Sequence, residues 1–349
     1  MTSVIPHSKP CYSVEDYNAV AQCLDSYYTA SGGPASKFLI MKLEKYYNSD
    51  LVMLTSSGTT ALILALIAIG IKPGESVILP NYICREVYDA VKFLGITPVL
   101  ADVESNTYTL NNLTVEEKIN SKVKGIIFPH MFGFPGMIKG LNKFNLPIIE
   151  DLSQGLGVKI GNKNAGEFGD VSLLSFKSIK MLGGGEGGAL ILNTPKSKEN
   201  IKNFLSGADK FYPPLLFSMS DLTASLVLSQ WDKMDVFVCK RKSIAINYLN
   251  SFKNLNFDLP LFLEENSWHR FPIKLVGDVS FENIQKKYYE NGVVIRKPVD
   301  NLLNELLSIE GEFPTSREIF EKTISIPLYP ALKEDEIDKI IKVTNKIFG

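Results

Sequence analysis

Two spacings of apolar residues alternate along this chain, and the switches between them mark its elements. From residue 14 to 28 the apolar positions fall on one helical face behind Val14-Glu15-Asp16, which predicts an amphipathic helix. Ser31-Gly32-Gly33-Pro34 breaks it, and a second helix is expected through Tyr47. After the small-residue turn Ser56-Ser57-Gly58-Thr59-Thr60 comes a long apolar helix. The spacing then changes to short β-branched runs, each followed by a turn and helical pattern. These runs predict strands at Val77–Pro80, Pro98–Asp102, Gly125–Pro129, Pro147–Asp151, Val171–Phe176 and Ala189–Leu192. Unbroken apolar strands alternating with helices imply an α/β fold whose mainly parallel sheet is covered on both faces. Beyond Pro213-Pro214 the pattern shifts again. One long helix or two in succession are expected over 220–250, then a strand at Arg270–Val276, a helix at Phe281–Asn291 and a strand at Val293–Arg296. Thr323–Ile326 and a helix from Lys333 to Phe348 follow. This predicts a large domain over 1–240 and a smaller α/β domain over 241–349, with the extreme N-terminus packing on the small one.

Composition narrows the classes. The chain has 349 residues, 45% apolar and 21% charged, with a net charge of −1. That is a globular profile with no basic field to favour nucleic acid. Met1-Thr2-Ser3-Val4-Ile5-Pro6 lacks the charged and apolar regions of a signal peptide. The apolar stretch Ala61–Ile71 is too short to span a bilayer. Cys11, Cys23, Cys84 and Cys239 are scattered without a CxxC pair, and His7, His130 and His269 lack metal-ligand spacing. A disulfide scaffold and a zinc site are therefore not expected, and a cytoplasmic protein is.

The chemistry concentrates in three places. Asp151 lies just past a predicted strand, within Glu150-Asp151-Leu152-Ser153-Gln154. Lys180 follows the next strand in a turn of small residues, ahead of Gly183-Gly184-Gly185-Glu186-Gly187-Gly188. Gly58-Thr59 opens the apolar helix. Singly, the Asp reads as a cap, the Lys as a solvated side chain and the turn as a helix start. Together they lie at strand ends of one sheet, where ligands of open α/β folds bind. They also meet the needs of a pyridoxal phosphate (PLP) site. Lys180 offers an amine for a Schiff base, and Asp151 an acid partner for the pyridine nitrogen. Gly58 and Thr59 offer backbone amides for the phosphate, with the Ser175 hydroxyl beside them. The run from Gly183 to Gly188 also spells GxGxxG, but it leads into a strand, whereas a dinucleotide fingerprint opens a helix. No GxxxxGK[ST] loop and no GxSxG elbow occur.

These residues resemble the DegT/DnrJ/EryC1/StrS family of sugar aminotransferases over nearly the whole chain. Pro34 with Phe38 and Leu43-Glu44 resembles the family's first helical segment. Ser57-Gly58-Thr59-Thr60-Ala61-Leu62 matches its SGTxAL turn, His130-Met131-Phe132-Gly133 its HxxG turn, and Glu150-Asp151 with Gln154 its EDxxQ block. Ser175-Phe176 with Lys180, then Gly185-Glu186-Gly187-Gly188, matches SFxxxK…GEGG.

The resemblance implies the PLP-transferase fold of type I (aspartate aminotransferase-like), as a homodimer with active sites at the interface. It makes Lys180 the Schiff-base lysine and proton carrier, and Asp151 the pyridinium partner. Gln154 falls near the ring hydroxyl, and Ser175, Gly58 and Thr59 hold the phosphate. Glutamate is the implied amino donor and a nucleotide-linked keto sugar the acceptor. Lys180 argues against the family's dehydratases, which carry histidine there.

Three departures stand out. Pro80-Asn81-Tyr82-Ile83-Cys84 puts Cys84 where the family often has an aromatic, so either Cys84 or Tyr82 meets the ring face. Residues 215–221 lack the Asn and Arg of the cross-subunit phosphate contact. Ile295-Arg296-Lys297-Pro298 replaces the usual tyrosine and histidine near a proline, and its cations suit a phosphate or diphosphate. His130, Arg296 and Lys297 are thus the expected substrate-side residues. Two further readings stand beside the nucleotide-sugar one: a PLP aminotransferase for a small phosphorylated ketone, and a non-catalytic descendant of the fold.

Overall fold

The computed structural model describes residues 4–349 apart from 216 and 278. The first half of the chain forms α1 (Val14–Asp25), α2 (Pro34–Tyr47), β1 (Val52–Thr55), α3 (Gly58–Ala68), β2 (Ser76–Pro80), α4 (Arg85–Phe93), β3 (Thr97–Ala101), α5 (Asn112–Glu116), β4 (Val123–Pro129) and β5 (Ile148–Asp151). Then come the small hairpin β6 (Lys159–Ile160) and β7 (Lys163–Asn164), β8 (Val171–Ser175), β9 (Gly188–Leu192), α6 (Pro195–Leu205), α7 (Asp221–Trp231) and α8 (Met234–Phe252). The chain ends with β10 (Phe257–Asp258), β11 (Phe271–Leu275), α9 (Phe281–Glu290), α10 (Leu303–Leu306), α11 (Pro314–Lys322), β12 (Thr323–Ile326) and α12 (Glu334–Phe348).

The main sheet has seven strands in the order β1-β9-β8-β5-β4-β2-β3. β3, β2, β4, β5 and β8 are mutually parallel, while β9 runs antiparallel to both β8 and β1. The expected fold class is thus observed, an α/β fold of type I with a mainly parallel central sheet. β2, β5 and β9 are buried throughout their lengths, which is why they read as continuous apolar runs. α3 packs on β8 and β9 and is apolar on nearly every side, because α4 and α6 cover its other faces. Leu62, Leu64, Leu66 and Ile67 are all buried there, and each such side chain contributes about 1.5–3 kcal/mol.

The second sheet is antiparallel, β10-β11-β12, with α8, α9 and α12 packed around it. Its core is aromatic, with Tyr248, Phe252, Trp268, Phe271 and Tyr288 fully enclosed. The N-terminal segment joins this unit. Ile5 N donates to Gly292 O at 2.9 Å, and Val294 N donates to Ile5 O at 3.0 Å. His7 Nε2 lies 2.9 Å from Ser325 Oγ.

Two local expectations need correction, and a third is narrowed. The first helix stops at Asp25 rather than at Tyr28, since Tyr27 takes a left-handed φ of 62° that a right-handed helix cannot continue. Over 220–250 the second of the two expected arrangements is found, two helices in succession, α7 and α8, broken at Asp232-Lys233. Val293–Arg296 is not a strand. It touches its neighbours through two single bridges, Ile5 with Val293 and Arg296 with Ser325, before Pro298 removes a donor. Met1, Thr2, Ser3 and Leu216, named in the sequence reading, lie outside the described residues. Among the described residues no helix is long and apolar enough to cross a membrane.

Candidate active site

Parallel register aligns the chemistry. Pro129 pairs with Asp151 across β4 and β5, and Asp151 pairs with Leu173 across β5 and β8. The carboxyl ends of these strands therefore open together onto one cleft of about 350 Å³. Gly58, Thr59, Cys84, His130, Asp151, Gln154, Ser175, Lys180, Arg296 and Lys297 all line it. Tyr82 does not. It is fully enclosed behind the wall, its ring 6.5 Å from that of Tyr108 and 6.4 Å from that of Phe132. Of the two residues expected at a ring face, the structure brings only Cys84 to the cleft.

At one end of the cleft is the start of α3. Ser57 caps it: Thr60 N donates to Ser57 Oγ at 3.1 Å, and Ser57 N donates back to Thr60 Oγ1 at 2.9 Å. Ala61 N reaches Ser57 O at 3.1 Å. The amides of Gly58 and Thr59 are the first-turn donors left over, aimed at the cleft with the positive end of the helix. Only glycine fits at 58, because a Cβ there would lie 2.8 Å from Ser175 Cβ. Phe217 and Ser218 pack on the same turn, with Ser56 N donating to Phe217 O at 2.7 Å. Asp221 is engaged elsewhere, accepting from Ser36 N at 2.7 Å and Ala35 N at 3.1 Å to cap α2.

Lys180 stands on a loop between β8 and β9 that closes on itself. Phe176 N donates to Gly187 O at 2.9 Å, Ser178 N to Gly185 O at 3.0 Å and Gly184 N to Phe176 O at 2.8 Å. The glycine-rich run thus bends the loop back and leads into β9, as expected of a non-dinucleotide motif. Lys180 Nζ has no ion-pair or hydrogen-bond partner among the described residues. Burial holds its ammonium below the usual lysine range; the Arg270 and Lys177 charges push the same way, and Asp151 opposes them.

Asp151 is buried, and Ser153 N donates to its Oδ1 at 2.8 Å, leaving Oδ2 without a donor among the described residues. Gln154 Oε1 accepts from Phe132 N at 3.1 Å, which orients the amide. Cys84 is the N-cap residue of α4, at the solvent-exposed rim. Loss of water on the cleft side, with the Asp151 and Glu86 charges nearby, pushes the thiol up to about 12, so it meets the cleft as a neutral, polarisable group. His130 is fully enclosed and 2.9 Å from Glu150 Oε2 through Nε2. Glu150 also accepts from the amides of Gly166 (2.8 Å), Phe168 (2.7 Å) and Gly169 (2.6 Å). An acceptor-only carboxylate requires the proton on His130 Nε2, leaving Nδ1, which has no protein partner, as the other ring nitrogen. Lys297 Nζ is held over the rings of Phe320 at 3.8 Å and Phe281 at 5.5 Å, whereas Arg296 is exposed at the mouth.

The sequence reading missed Arg270, which lines the cleft from the start of β11. The signal was present as a cation heading an otherwise apolar strand, but strand periodicity does not say which end of a strand faces a cleft. Lys177, Glu86, Glu186 and Asp300 also line the site and were not singled out.

The model of the DegT/DnrJ/EryC1/StrS aminotransferase family matches residues 10–345 of the chain. The chain belongs to that family. The family is PLP-dependent, and with Lys180 where its dehydratases carry histidine this chain is a PLP-dependent aminotransferase. GDP-perosamine synthase of Escherichia coli O157:H7 is 25% identical over 362 residues, covering 99% of both chains. Among solved structures, Helicobacter pylori PseC, an aminotransferase of pseudoaminic acid biosynthesis, superposes with a TM-score of 0.89 at 24% identity and covers 99% of each chain. The aminotransferase TlmJ of Streptoalloteichus hindustanus superposes with a TM-score of 0.88 at 22% identity and covers 98% of each. At those identities the structural likeness speaks for the fold alone.

Proposed function

We propose that this enzyme transfers the amino group of glutamate to the keto group of a nucleotide-linked sugar. The observation that carries the reading is the placement of a desolvated, unpartnered lysine amine in one cleft with a half-free carboxylate and a helix N-terminus. These residues fit PLP at each of its ends. The amides of Gly58 and Thr59 with the Ser175 hydroxyl form the phosphate cup, which a Cβ at position 58 would fill. Asp151 Oδ2 would accept from a protonated pyridine nitrogen, and Gln154, which lines the same cleft, would lie toward the ring hydroxyl. Bound PLP supplies an electron sink that acidifies the donor's Cα–H bond.

The chain's own groups do the rest. A lysine held below its usual range is more often neutral, so Lys180 is the amine that would hold PLP, and its Nζ would be the group that takes up and returns a proton. Asp151, buried with Oδ2 free, would hold a proton on the pyridine nitrogen of bound PLP. Cys84, a neutral thiol in the cleft wall, would meet the cofactor ring without competing as a thiolate. Arg296 at the mouth is placed for a diphosphate that extends beyond the cavity. The similarity to GDP-perosamine synthase supports this acceptor class. The exposed Tyr17, Leu24, Tyr27, Tyr28 and Phe38 around α1 and α2 support a homodimer. The four free cysteines support a cytoplasmic setting.

The test begins with the Lys180→Ala variant, expected to lose the visible absorbance of lysine-bound PLP; a cofactor still fixed to the chain by borohydride would refute the lysine assignment. Asp151→Asn is expected to keep PLP bound while turnover drops about 100-fold or more. For the acceptor, the enzyme is converted with glutamate to its amine-loaded form. It is then offered UDP- and dTDP-linked 3-keto and 4-keto sugars beside dihydroxyacetone phosphate. Return of the absorbance with the small ketone alone would end the nucleotide-sugar reading.

A further inference from the structure

Arg270 is held in the cleft wall by the loop that carries the HxxG turn. Ser267 N donates to Gly133 O at 2.8 Å, and Arg270 N donates to Phe132 O at 3.3 Å. Gly133 has a left-handed φ of 81°, and a Cβ there would lie 2.6 Å from His269 N, so only glycine permits this approach. The segment 267–270 is thereby clamped, and Arg270 is carried to the cleft that holds Lys180.

Its guanidinium has no partner there. No side-chain nitrogen of Arg270 makes a hydrogen bond or ion pair among the described residues, and Nε and Nη1 are closed to solvent without an acceptor. Asp300 is near enough for its charge to be felt but does not pair with it, and the hydroxyl of buried Tyr82, which also lacks a partner, is a second neighbour. Arg241, which is fully buried, shows the contrast: its Nη1 donates to the carbonyls of Trp268, His269 and Leu328. Arg241 ties the fold together, whereas Arg270 is a half-buried cation in the cleft wall with its donors unused. Such a group is costly to the fold, and an anion that enters the cleft and pairs with it recovers that cost.

We infer that Arg270 is the docking group for the α-carboxylate of the amino donor and so determines which amines the enzyme accepts. The inference rests on the aminotransferase reading above. The planar fork of arginine matches a two-oxygen carboxylate. The donor's α-carboxylate is one bond from the carbon that exchanges its amine, so its anchor must share the enclosed space of Lys180. The diphosphate of a nucleotide sugar is several bonds from the keto carbon and belongs nearer the exposed Arg296. The Arg270 charge is felt at Lys180, in keeping with the first position.

The test uses full-length, PLP-loaded enzyme with Arg270→Gln and Arg270→Lys. Glutarate, which has no amine to react, reports carboxylate binding by calorimetry. Stopped-flow absorbance follows the half-reactions with glutamate and with keto acceptors. Arg270→Gln is expected to keep the absorbance of bound PLP and to unfold at the same temperature or higher. Its glutarate affinity should fall about 100-fold, with the KM for glutamate rising in step and the acceptor half-reaction unchanged. Arg270→Lys should restore only part of this. Unaltered glutarate affinity overturns the inference. So does a loss confined to the acceptor half-reaction, which would make Arg270 a reader of the sugar's anion, and so does a lower unfolding temperature with every constant shifted together, which would make it structural. Failure of the aminotransferase reading shows separately, as wild-type enzyme that neither binds PLP through lysine nor reacts with any amino acid.

Discussion

Gly58 and Ser175 approach so closely that a Cβ on Gly58 would lie 2.8 Å from Ser175 Cβ and 3.0 Å from its Oγ. This contact brings the start of α3 against the end of β8 and leaves the space between them for an anion. Gly58→Ala puts two effects in opposition. Alanine favours the helix by about 1 kcal/mol, but overpacking a fixed contact costs about 1–3 kcal/mol. The second wins where the cup must keep its shape. Cofactor affinity, read by titrating apoenzyme with PLP and following visible absorbance, is expected to fall about tenfold or more. Unchanged affinity would show that the phosphate is held elsewhere.

Glu150 is an acceptor for four donors at once, from His130, Gly166, Phe168 and Gly169, all inside the protein. Glu150→Gln keeps the shape but turns one acceptor oxygen into an NH₂ group, which then faces donors. A stability loss of about 3 kcal/mol is expected, measured as a lower urea midpoint for the apoenzyme. His130 should lose its fixed ring orientation in the same variant. A midpoint equal to wild type would mean that the 166–169 loop is not anchored by this carboxylate.

Local signals made some of these elements readable in sequence, and non-local pairing hid others. The apolar runs of β2, β4, β5, β8 and β9 announced buried strands because both faces of the sheet are covered. β1 (Val52–Thr55) escaped notice: it is four residues long and earns its strand geometry by pairing with β9 across the chain. Lys180, Asp151 and Gly58 were legible because each is fixed by its own strand end or helix start. Arg270 was not, since its position depends on the Gly133 contact from a loop far away in sequence. Tyr82 shows the converse. Its aromatic type and place suggested a ring contact, but three-dimensional packing turns it into the cluster with Tyr108 and Phe132.

His7 and His269 are both buried, and burial holds each ring well below the usual histidine range. Neighbouring cations add to this, Arg270 and Arg296 at His7, and Lys180, Arg241 and Arg270 at His269. In the unfolded chain both rings take up a proton near pH ~6.5. Below that pH the unfolded state binds more protons than the native state, so the stability these rings contribute is fully present above ~6.5 and drains away as pH falls. Each contributes a slope of about 1.4 kcal/mol per pH unit. Urea midpoints of the apoenzyme are therefore expected to fall steadily from pH 6.5 to 5, above the range where most carboxylates titrate. His7→Gln can keep a hydrogen bond to Ser325 and should remove about half of the slope, and the double variant with His269→Gln should remove most of it. An undiminished slope in both variants would place the acid sensitivity in other groups.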